Sequence, residues 1–484
     1  MRQIPLTFAV VLASAVLLSA CLSREVSKVE AGQQKQEKKA IPVVAERDID
    51  ILFVIDDSDS MAQEQASLVQ NFPGFIDKLR SIEGGLPNVH IGVISTDMGA
   101  RNGIANCDET GGKNGALQSD LVGNSAVCSD GSVSLADSFI RDVDDDGDPN
   151  TPRVTNYEGE LENVFSCIAE LGITGCGFEQ QLEAMRASLT EASENDNGFL
   201  RDNAFLAVIF ITDEDDCSTK NNEMFRRDIT APDSALGPLD SFRCFEFGVQ
   251  CVPDNPRGEG EKTDCVPREN SPYMYDVEEY VTFLKNLKSD PRKVIVAGIF
   301  GIDPETGEIP INVFRDDRGD DNENNDLFKL DPACTIQQSD GTVGQATPAV
   351  RLQAFLDQFP DRNTADTICD EDLTDALDLV ASLLAKVLDN PFCLTVDVDQ
   401  DPDTPELDYD CQVSDVLSTG DGIQEDPLVA CDNPDSPTNT PCWYIQKNEE
   451  GCSNAGEPYQ ELVVERGSDT VSSDTQVVVN CAVN

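Results

Sequence analysis

The sequence predicts an α/β protein: a doubly wound, mostly parallel sheet with long Cys- and Asp-rich insertions and a small C-terminal β-rich appendage. Nearly continuous apolar runs at residues 49–55, 89–95, 205–211 and 294–300 are typical of strands that are buried on both faces of a parallel sheet. Apolar residues at three-to-four spacing between these runs predict helices that cover the sheet. Acidic, Cys-containing stretches at about 98–156, 217–270 and 303–348 interrupt this alternation.

The amino end has the features of an exported lipoprotein. Met1 and Arg2 precede an apolar run at residues 4–18, which is too short for a stable membrane span. The following Leu-Ser-Ala-Cys is similar to a bacterial lipobox, so residues 1–21 are predicted to be a lipoprotein signal peptide, with lipid attached at Cys21. An ordinary signal peptide that leaves an unpaired thiol is the alternative. Residues 22–47 are polar, and we expect a flexible tether.

Cysteine usage favours an oxidising compartment. The chain has 17 cysteines, and an even number remains once Cys21 is set aside for the lipid, so full pairing is possible. Cys369 and Cys393 flank the last predicted helix and could bridge its ends. We therefore expect a lipid-anchored protein of the cell envelope, at the outer membrane.

The charge limits the classes of partner. With 91 acidic against 34 basic residues, the formal net charge is −57, which repels phosphate backbones and makes nucleic acid an unsuitable partner. Divalent cations are the natural counterparts of such a surface. Alternatively, most of these carboxylates only keep the protein soluble or adapt it to salt.

Oxygen ligands follow the first predicted strand. Asp56, Ser58 and Ser60 occupy alternate positions, so a carboxylate and two hydroxyls can point the same way from one loop. Such ligands suit Mg²⁺, Mn²⁺ or Ca²⁺, and the carboxyl ends of strands are where open α/β sheets bind ligands. The alternative is a plain turn with Ser60 as helix N-cap.

Three further residues have positions that suit the same edge. Thr174 lies in a Gly-rich turn that opens a helix, where it can reach a metal or only cap the helix. Asp213 follows the strand at 205–211. Asp97 follows the strand at 89–95, and it can approach the ion or remain a solvated turn carboxylate.

The ordered set Asp56, Ser58, Ser60, Thr174 and Asp213 resembles the metal-ion-dependent adhesion site (MIDAS) of von Willebrand factor A domains, and the resemblance covers residues 48–392. It implies a Mg²⁺-like ion that keeps one coordination position for an Asp or Glu of a protein or matrix ligand. The family usually has Gly where this chain has Asp59 and Glu214. With Asp215 and Asp216, these carboxylates are expected to make the site more negative, which favours Ca²⁺ and discourages an acidic partner residue.

A second cation loop is predicted in the first insertion. Asp142, Asp144, Asp146 and Asp148 alternate around Gly147, as in calcium loops. Arg153 stands where an EF-hand has its bidentate Glu, so the loop is at best a partial Ca²⁺ site. A related acidic string recurs at residues 397–405.

Residues 393–484 are predicted to form a small disulfide-stapled β appendage with Trp443 in its core.

Histidine is rare in this chain. His90, the only one, lies in a predicted strand as a packing residue, and no GxSxG occurs, so we expect no catalytic residues and no enzyme. The predicted function is a metal-dependent adhesion module. The alternative is an envelope scaffold with purely stabilising cations.

Overall fold

A computed structural model describes residues 35–42 and 47–483, except 83–84, 101–102, 109–110, 145–150, 196–197, 203, 289–290, 317–325, 338–340, 371, 389–391, 395, 402–406, 420–421, 435–436, 449–451, 453–457 and 467–474. The predicted signal peptide, the predicted lipidation site Cys21, and Asp146 and Asp148 of the acidic loop lie outside the described residues.

The strands of the described chain are, in order, β1 (Lys35–Pro42), β2 (Asp48–Ile55), β3 (Asn88–Ser95), β4 (Ser134–Leu135), β5 (Ile140–Val143), β6 (Val154–Thr155), β7 (Tyr157–Glu158), β8 (Phe205–Ile211), β9 (Val249–Val252), β10 (Gly260–Pro267), β11 (Val294–Phe300), β12 (Ile311–Asp316), β13 (Leu327–Leu330), β14 (Cys334–Gln337), β15 (Val343–Ala346), β16 (Asn363–Thr367), β17 (Phe392–Leu394), β18 (Cys411–Thr419), β19 (Gly422–Ala430), β20 (Cys442–Lys447), β21 (Gln460–Glu465) and β22 (Thr475–Val483).

The helices of the described chain are α1 (Ala62–Arg80), α2 (Leu161–Ala169), α3 (Gln181–Asn195), α4 (Phe242–Gly248), α5 (Val277–Asn286), α6 (Val350–Leu356) and α7 (Thr374–Leu388). Helix α1 continues through Pro73, where the sequence predicts a kink.

The central sheet has the strand order β16-β11-β8-β2-β3-β5-β6. Its first five strands run parallel, and β5 and β6 run antiparallel to their neighbours. The register pairs Ile55 at the end of β2 with Ile211 of β8 on one side and Ser95 of β3 on the other. The carboxyl ends of three neighbouring strands are therefore level at one edge.

Both faces of the central sheet are covered by helices. Ile51, Phe53 and Ile55 of β2 pack with α1, α2 and α7, and Leu52 and Val54 pack with α3, α5 and α6. The Phe53 ring lies against the rings of Phe72, Phe75 and Phe165, with centroids 5.0–6.1 Å apart. Truncation of such a buried aromatic typically costs about 3–5 kcal/mol. Strand β2, which leads into the Asp56 loop, is thus rigidly held.

The predicted fold class is wrong. Strand residues (30%) exceed helical residues (25%), the central sheet is mixed, and most of the strands lie outside it in four further sheets. Two strands of the central sheet, β5 and β6, come from the 98–156 stretch that the sequence predicts to be an insertion. These strands are too short to show a hydrophobic period.

The C-terminal part is larger than the predicted appendage. Its strands form a seven-stranded sheet, ordered β1-β22-β18-β19-β20-β21-β17, and Trp443 lies in the core as expected. Strand β1 pairs with β22 along eight residues, so Lys35–Pro42 are a sheet strand and not part of a flexible tether. Their polar sequence hid the strand, because the backbone of β22 supplies its hydrogen bonds.

The two later insertions meet in one structure. Strands β9 and β10 come from the stretch at 217–270, and β12 and β13 come from that at 303–348. Together they form a four-stranded antiparallel sheet, ordered β13-β12-β10-β9.

Eight disulfides join 16 cysteines, which confirms the predicted full pairing: Cys107–Cys176, Cys128–Cys167, Cys217–Cys244, Cys251–Cys265, Cys334–Cys369, Cys393–Cys452, Cys411–Cys481 and Cys431–Cys442. The suggested Cys369–Cys393 bridge is wrong, because each of the two binds another partner. This density of disulfides indicates a protein of an oxidising, extracytoplasmic compartment. Among the described residues, no helix is both long and apolar enough to span a membrane.

Candidate functional site

The candidate site lies at the level edge of the central sheet. The Asp56 amide donates to the Ile211 carbonyl (3.0 Å), and the Thr96 amide donates to the Ile55 carbonyl (3.2 Å). Sheet-like hydrogen bonding thus continues one residue beyond the strands. Asp56 is placed between the loops that follow β3 and β8.

Asp56 is fully buried and held at both carboxylate oxygens. Oδ1 accepts the Ser58 amide (2.8 Å), and Oδ2 accepts the Thr212 hydroxyl (2.7 Å). Burial raises the pKa of Asp56, and these hydrogen bonds oppose the rise. The Gln65 amide group donates to the carbonyls of Asp56 (2.8 Å) and Gly172 (2.9 Å), which fastens the loop to the Thr174 turn.

Ser58, Ser60 and Asp213 continue the same oxygen-rich cluster. The Ser58 and Ser60 hydroxyl oxygens are 3.1 Å apart, and the Ser60 hydroxyl is within hydrogen-bond reach of the Asp213 carboxylate. Asp213 is 6% exposed, yet its Oδ1 meets no hydrogen-bond donor among the described residues. Burial and the charges of Asp56 and Glu214 hold the pKa of Asp213 well above its usual range.

Thr174 stands at the exposed rim of this cluster. Its neighbour Gly175 donates its amide to the Asp57 carbonyl (2.8 Å). A Cβ at Gly175 would lie 2.2 Å from Asp57 Oδ1, so only glycine permits this close approach of the two loops. Of the five predicted ligands, four are joined by direct contacts, and Thr174 lies on the adjoining turn.

Asp57 and Asp97 serve the structure around the site. The Ser95 hydroxyl donates to Asp57 (2.6 Å), and the Lys113 ammonium pairs with the same carboxylate. Asp97 accepts the Gly99 amide (2.8 Å), while burial raises its pKa. Both carboxylates are thereby bonded to groups of the protein itself.

Two of the carboxylates that were expected to make the site more negative, Asp215 and Asp216, are instead bonded to groups of the fold. Asp215 accepts the backbone amides of Arg351 (3.0 Å) and Leu352 (3.2 Å) at the start of α6. Asp216 forms a buried ion pair with the Arg351 guanidinium and accepts the Leu182 amide (3.0 Å) in α3. Only Asp213 and Glu214 belong to the candidate site.

Three residues of the site were not predicted. Thr212 orients Asp56, Gln65 ties two loops together, and Glu179 brings another buried carboxylate beside Glu214 and Asp56. The position of Thr212 directly after β8 was a usable signal. Glu179 precedes α3 and has no comparable signal in the sequence.

A cavity of about 240 Å³ opens next to these groups. Ser60, Asp213 and Glu214 form one wall, so the cysteine-rich insertions flank the cluster without closing it. Lys329 and Asp240 also line the cavity, and the Lys329 ammonium pairs with Asp240 at 2.8 Å. The apolar lining comes from the insertions and from the approach to α6: Phe242, Phe245, Leu330, Pro332, Ala346 and Pro348.

The donor set fits a hard divalent cation. Among the described residues, no group of three or more His, Cys, Asp and Glu side chains is arranged to hold a metal ion. The candidate site is not a group of that kind, because it combines two carboxylates, Asp56 and Asp213, with the hydroxyls of Ser58 and Ser60. The buried Asp213 oxygen without a donor is an atom that a cation would satisfy.

The predicted calcium loop has a different role at its first residue. The Asp142 carboxylate pairs with Arg153 and accepts the Tyr157 hydroxyl (2.6 Å). Both oxygens are therefore engaged by the protein: Oδ1 by Arg153, which stands where an EF-hand has its Glu, and Oδ2 by Tyr157. Asp144 donates its amide to Asn88 Oδ1 (2.7 Å).

His90 is buried in β3. Its Nδ1 is 2.9 Å from the Phe199 carbonyl, and its ring lies against Phe139. Burial, together with the positive charge of Arg201, lowers its pKa to about 4.

No family model and no curated protein matches the chain. Among solved structures, the chain is similar to the pilus adhesin RrgA from Streptococcus pneumoniae, with 12% identity and a TM-score of 0.28. The alignment covers 93% of this chain and 58% of the adhesin, so the chain spans less than two thirds of that protein's length. A likeness this distant carries no weight for fold or function.

Proposed function

We propose that this protein is a binding module of the cell envelope, which recognises a protein or matrix ligand through a divalent cation at a MIDAS-like site. Asp56, Ser58, Ser60 and Asp213 would hold the ion, with Thr174 at the rim. Mg²⁺, Mn²⁺ and Ca²⁺ all suit these oxygens. When bound, the ion would offer a coordination position to a carboxylate of the partner.

One observation carries the proposal: Asp213 and Ser60 belong both to the buried oxygen cluster and to the wall of the open cavity. An ion held there would be reachable from solvent. The family resemblance supports the proposal through its ligand loops alone, since the predicted fold class is wrong.

The cavity suggests what accompanies the partner's carboxylate. Phe242, Phe245 and Leu330 give it apolar walls beside the candidate ligands. A partner segment would therefore place an apolar side chain in the cavity next to its Asp or Glu. Such a buried anchor usually supplies much of the binding energy.

Peptide selection tests this function without a known ligand. Random peptides displayed on phage are selected on the immobilised protein in Mg²⁺ and released with EDTA. We expect the released peptides to carry Asp or Glu beside an aromatic or aliphatic residue. Replacing that acid with its amide should abolish binding, and the Asp56→Ala variant should bind none of these peptides. Glu278→Gln, an exposed site on α5, is the matched control.

Peptides that remain bound in EDTA, or that bind equally well to a folded Asp56→Ala protein, would contradict the proposal. Circular dichroism of each variant establishes that it is folded.

A scaffold role is the second candidate, and the complete burial of Asp56 favours it. In that case the ion only ties the loops together. Unfolding of the Asp56→Ala variant would then accompany loss of the ion. A folded variant that has lost peptide binding favours recognition.

A further inference from the structure

Glu179 has an unusual environment for a carboxylate. It is 1% exposed, and neither of its carboxylate oxygens accepts a hydrogen bond from another described residue. Burying a charged group without a partner is costly, so native structures pair, protonate or metallate such groups. Glu179 lies in the turn that contains Thr174, and its backbone carbonyl accepts the Cys217 amide at 2.8 Å.

A second carboxyl group, that of Glu214, lies beside the Glu179 carboxyl group. The carboxyl groups of Glu179 and Glu214 are within hydrogen-bond reach of each other, and the charge of Asp56 acts on both. Two facing acceptors need a proton or a cation between them.

The backbone fixes this pair in place. The Glu214 carbonyl accepts the Gln181 amide group (3.1 Å), and the Glu214 backbone amide donates to the Thr212 hydroxyl oxygen (3.2 Å). Glu179 is held in turn by Cys217, which is bonded to Cys244. The two carboxylates cannot simply separate into solvent.

One divalent cation does not balance the negative charge of the cluster. A divalent cation at the proposed site would balance Asp56 and Asp213. Glu179 and Glu214 would remain, and the Lys329 ammonium that acts on Glu214 is already paired with Asp240.

We propose that Glu179 and Glu214 bind a second divalent cation, adjacent to the one held by Asp56, Ser58, Ser60 and Asp213. This inference rests on the proposed function for the neighbouring ion. The second ion lies on the buried side, where it neutralises the pair and fixes the Thr174 turn against the loop that follows β8. Two metal ions about 3.5–4 Å apart are a known arrangement in proteins.

Manganese is the probe that separates a second ion from a shared proton. The purified protein is loaded with Mn²⁺, bound ions are counted by native mass spectrometry, and the electron paramagnetic resonance spectrum is recorded. Two adjacent Mn²⁺ ions give a spin-coupled spectrum, whereas isolated ions bound in distant acidic loops do not.

We expect Glu179→Gln and Glu214→Gln each to lose one ion per chain and to replace the coupled spectrum with that of an isolated Mn²⁺. Glu278→Gln is the control and keeps both ions. The double variant with Ser58→Ala and Ser60→Ala removes two proposed ligands of the first ion, and it therefore tests that ion separately.

An uncoupled spectrum in the wild type, with the same ion count in Glu179→Gln, would overturn the inference and assign a shared proton to the pair. A wild-type protein that binds no Mn²⁺ at the cluster of Asp56, Ser58, Ser60 and Asp213 would instead refute the proposed function, so the two failures are distinguishable.

Discussion

The Thr212 hydroxyl donates a 2.7 Å hydrogen bond to Asp56 Oδ2, joining residues that are 156 positions apart. The bond fixes which carboxylate oxygen of Asp56 faces the cluster. Thr212 is thus a positioning residue for the candidate ion site, and it follows β8 as Asp56 follows β2.

Thr212→Val should weaken cation binding by about tenfold to 100-fold, because the isosteric side chain cannot orient the Asp56 carboxylate. Isothermal titration with Mg²⁺ or Mn²⁺ measures the change. Thr282→Val on the exposed face of α5 is the matched control and should leave the affinity unchanged. Equal affinities for the wild type and Thr212→Val would show that the bond serves the fold alone.

Asp213→Asn should change stability in opposite directions with and without the ion. In EDTA the variant should be more stable than the wild type, because one acidic group is removed from a buried cluster of like charges. In saturating Mg²⁺ the wild type gains about 2.7 kcal/mol at 100 times Kd, and the variant gains far less.

Thermal unfolding in the two buffers measures both effects. A variant that is destabilised equally in EDTA and in Mg²⁺ would contradict the assignment of Asp213 as a ligand.

The imidazole of His90 should stay neutral down to unusually low pH. Because the pKa falls from 6.5 to about 4 on folding, the folded protein binds fewer protons than the unfolded chain between these values. This contribution to stability is complete above pH 6.5, and up to about 3 kcal/mol is lost as the pH falls towards 4.

Since the chain has one histidine, a single imidazole resonance in the NMR spectrum reports the titration directly. A midpoint near 6.5 in the folded protein would contradict the buried, neutral environment.

Arg351→Met should destabilise the protein by about 3–5 kcal/mol, because it leaves the Asp216 charge buried without its partner. The guanidinium Nε and Nη2 lie 3.1 and 3.0 Å from Asp216 Oδ2. Denaturant unfolding gives the change in free energy. Arg226→Met, which breaks an exposed pair with Asp228, is the control and should leave the unfolding midpoint in place. A midpoint for Arg351→Met equal to that of the wild type would show that Asp216 is neutral in the fold.

The loop residues of the site were more predictable than the fold. Ile55 and Ile211 are level in the parallel register, so a carboxylate after each strand must reach the same edge, and apolar runs alone reveal this. Glu179 was missed because its role depends on which way its side chain turns after folding. No spacing in the sequence encodes that direction.

The predicted fold class was wrong because of strands whose conformation depends on their pairing partners. Strand β5 is four residues long, and β12 lies in an acidic stretch, so neither shows a clear hydrophobic period. Strand β1 is rich in lysine, and its backbone pairing with β22 determines its conformation. Such strands are selected by tertiary context and not by local propensity.

The pairing of β1 with β22 has a consequence for the order of folding. More than four hundred residues separate the two strands along the chain, so β1 emerges from the ribosome long before its partner exists. Contacts of such long range form slowly, because a very large loop must close first. The edge of β1 is unpaired until β22 arrives and can meanwhile pair with another chain, so the interval before closure is the period in which the nascent protein most needs a chaperone.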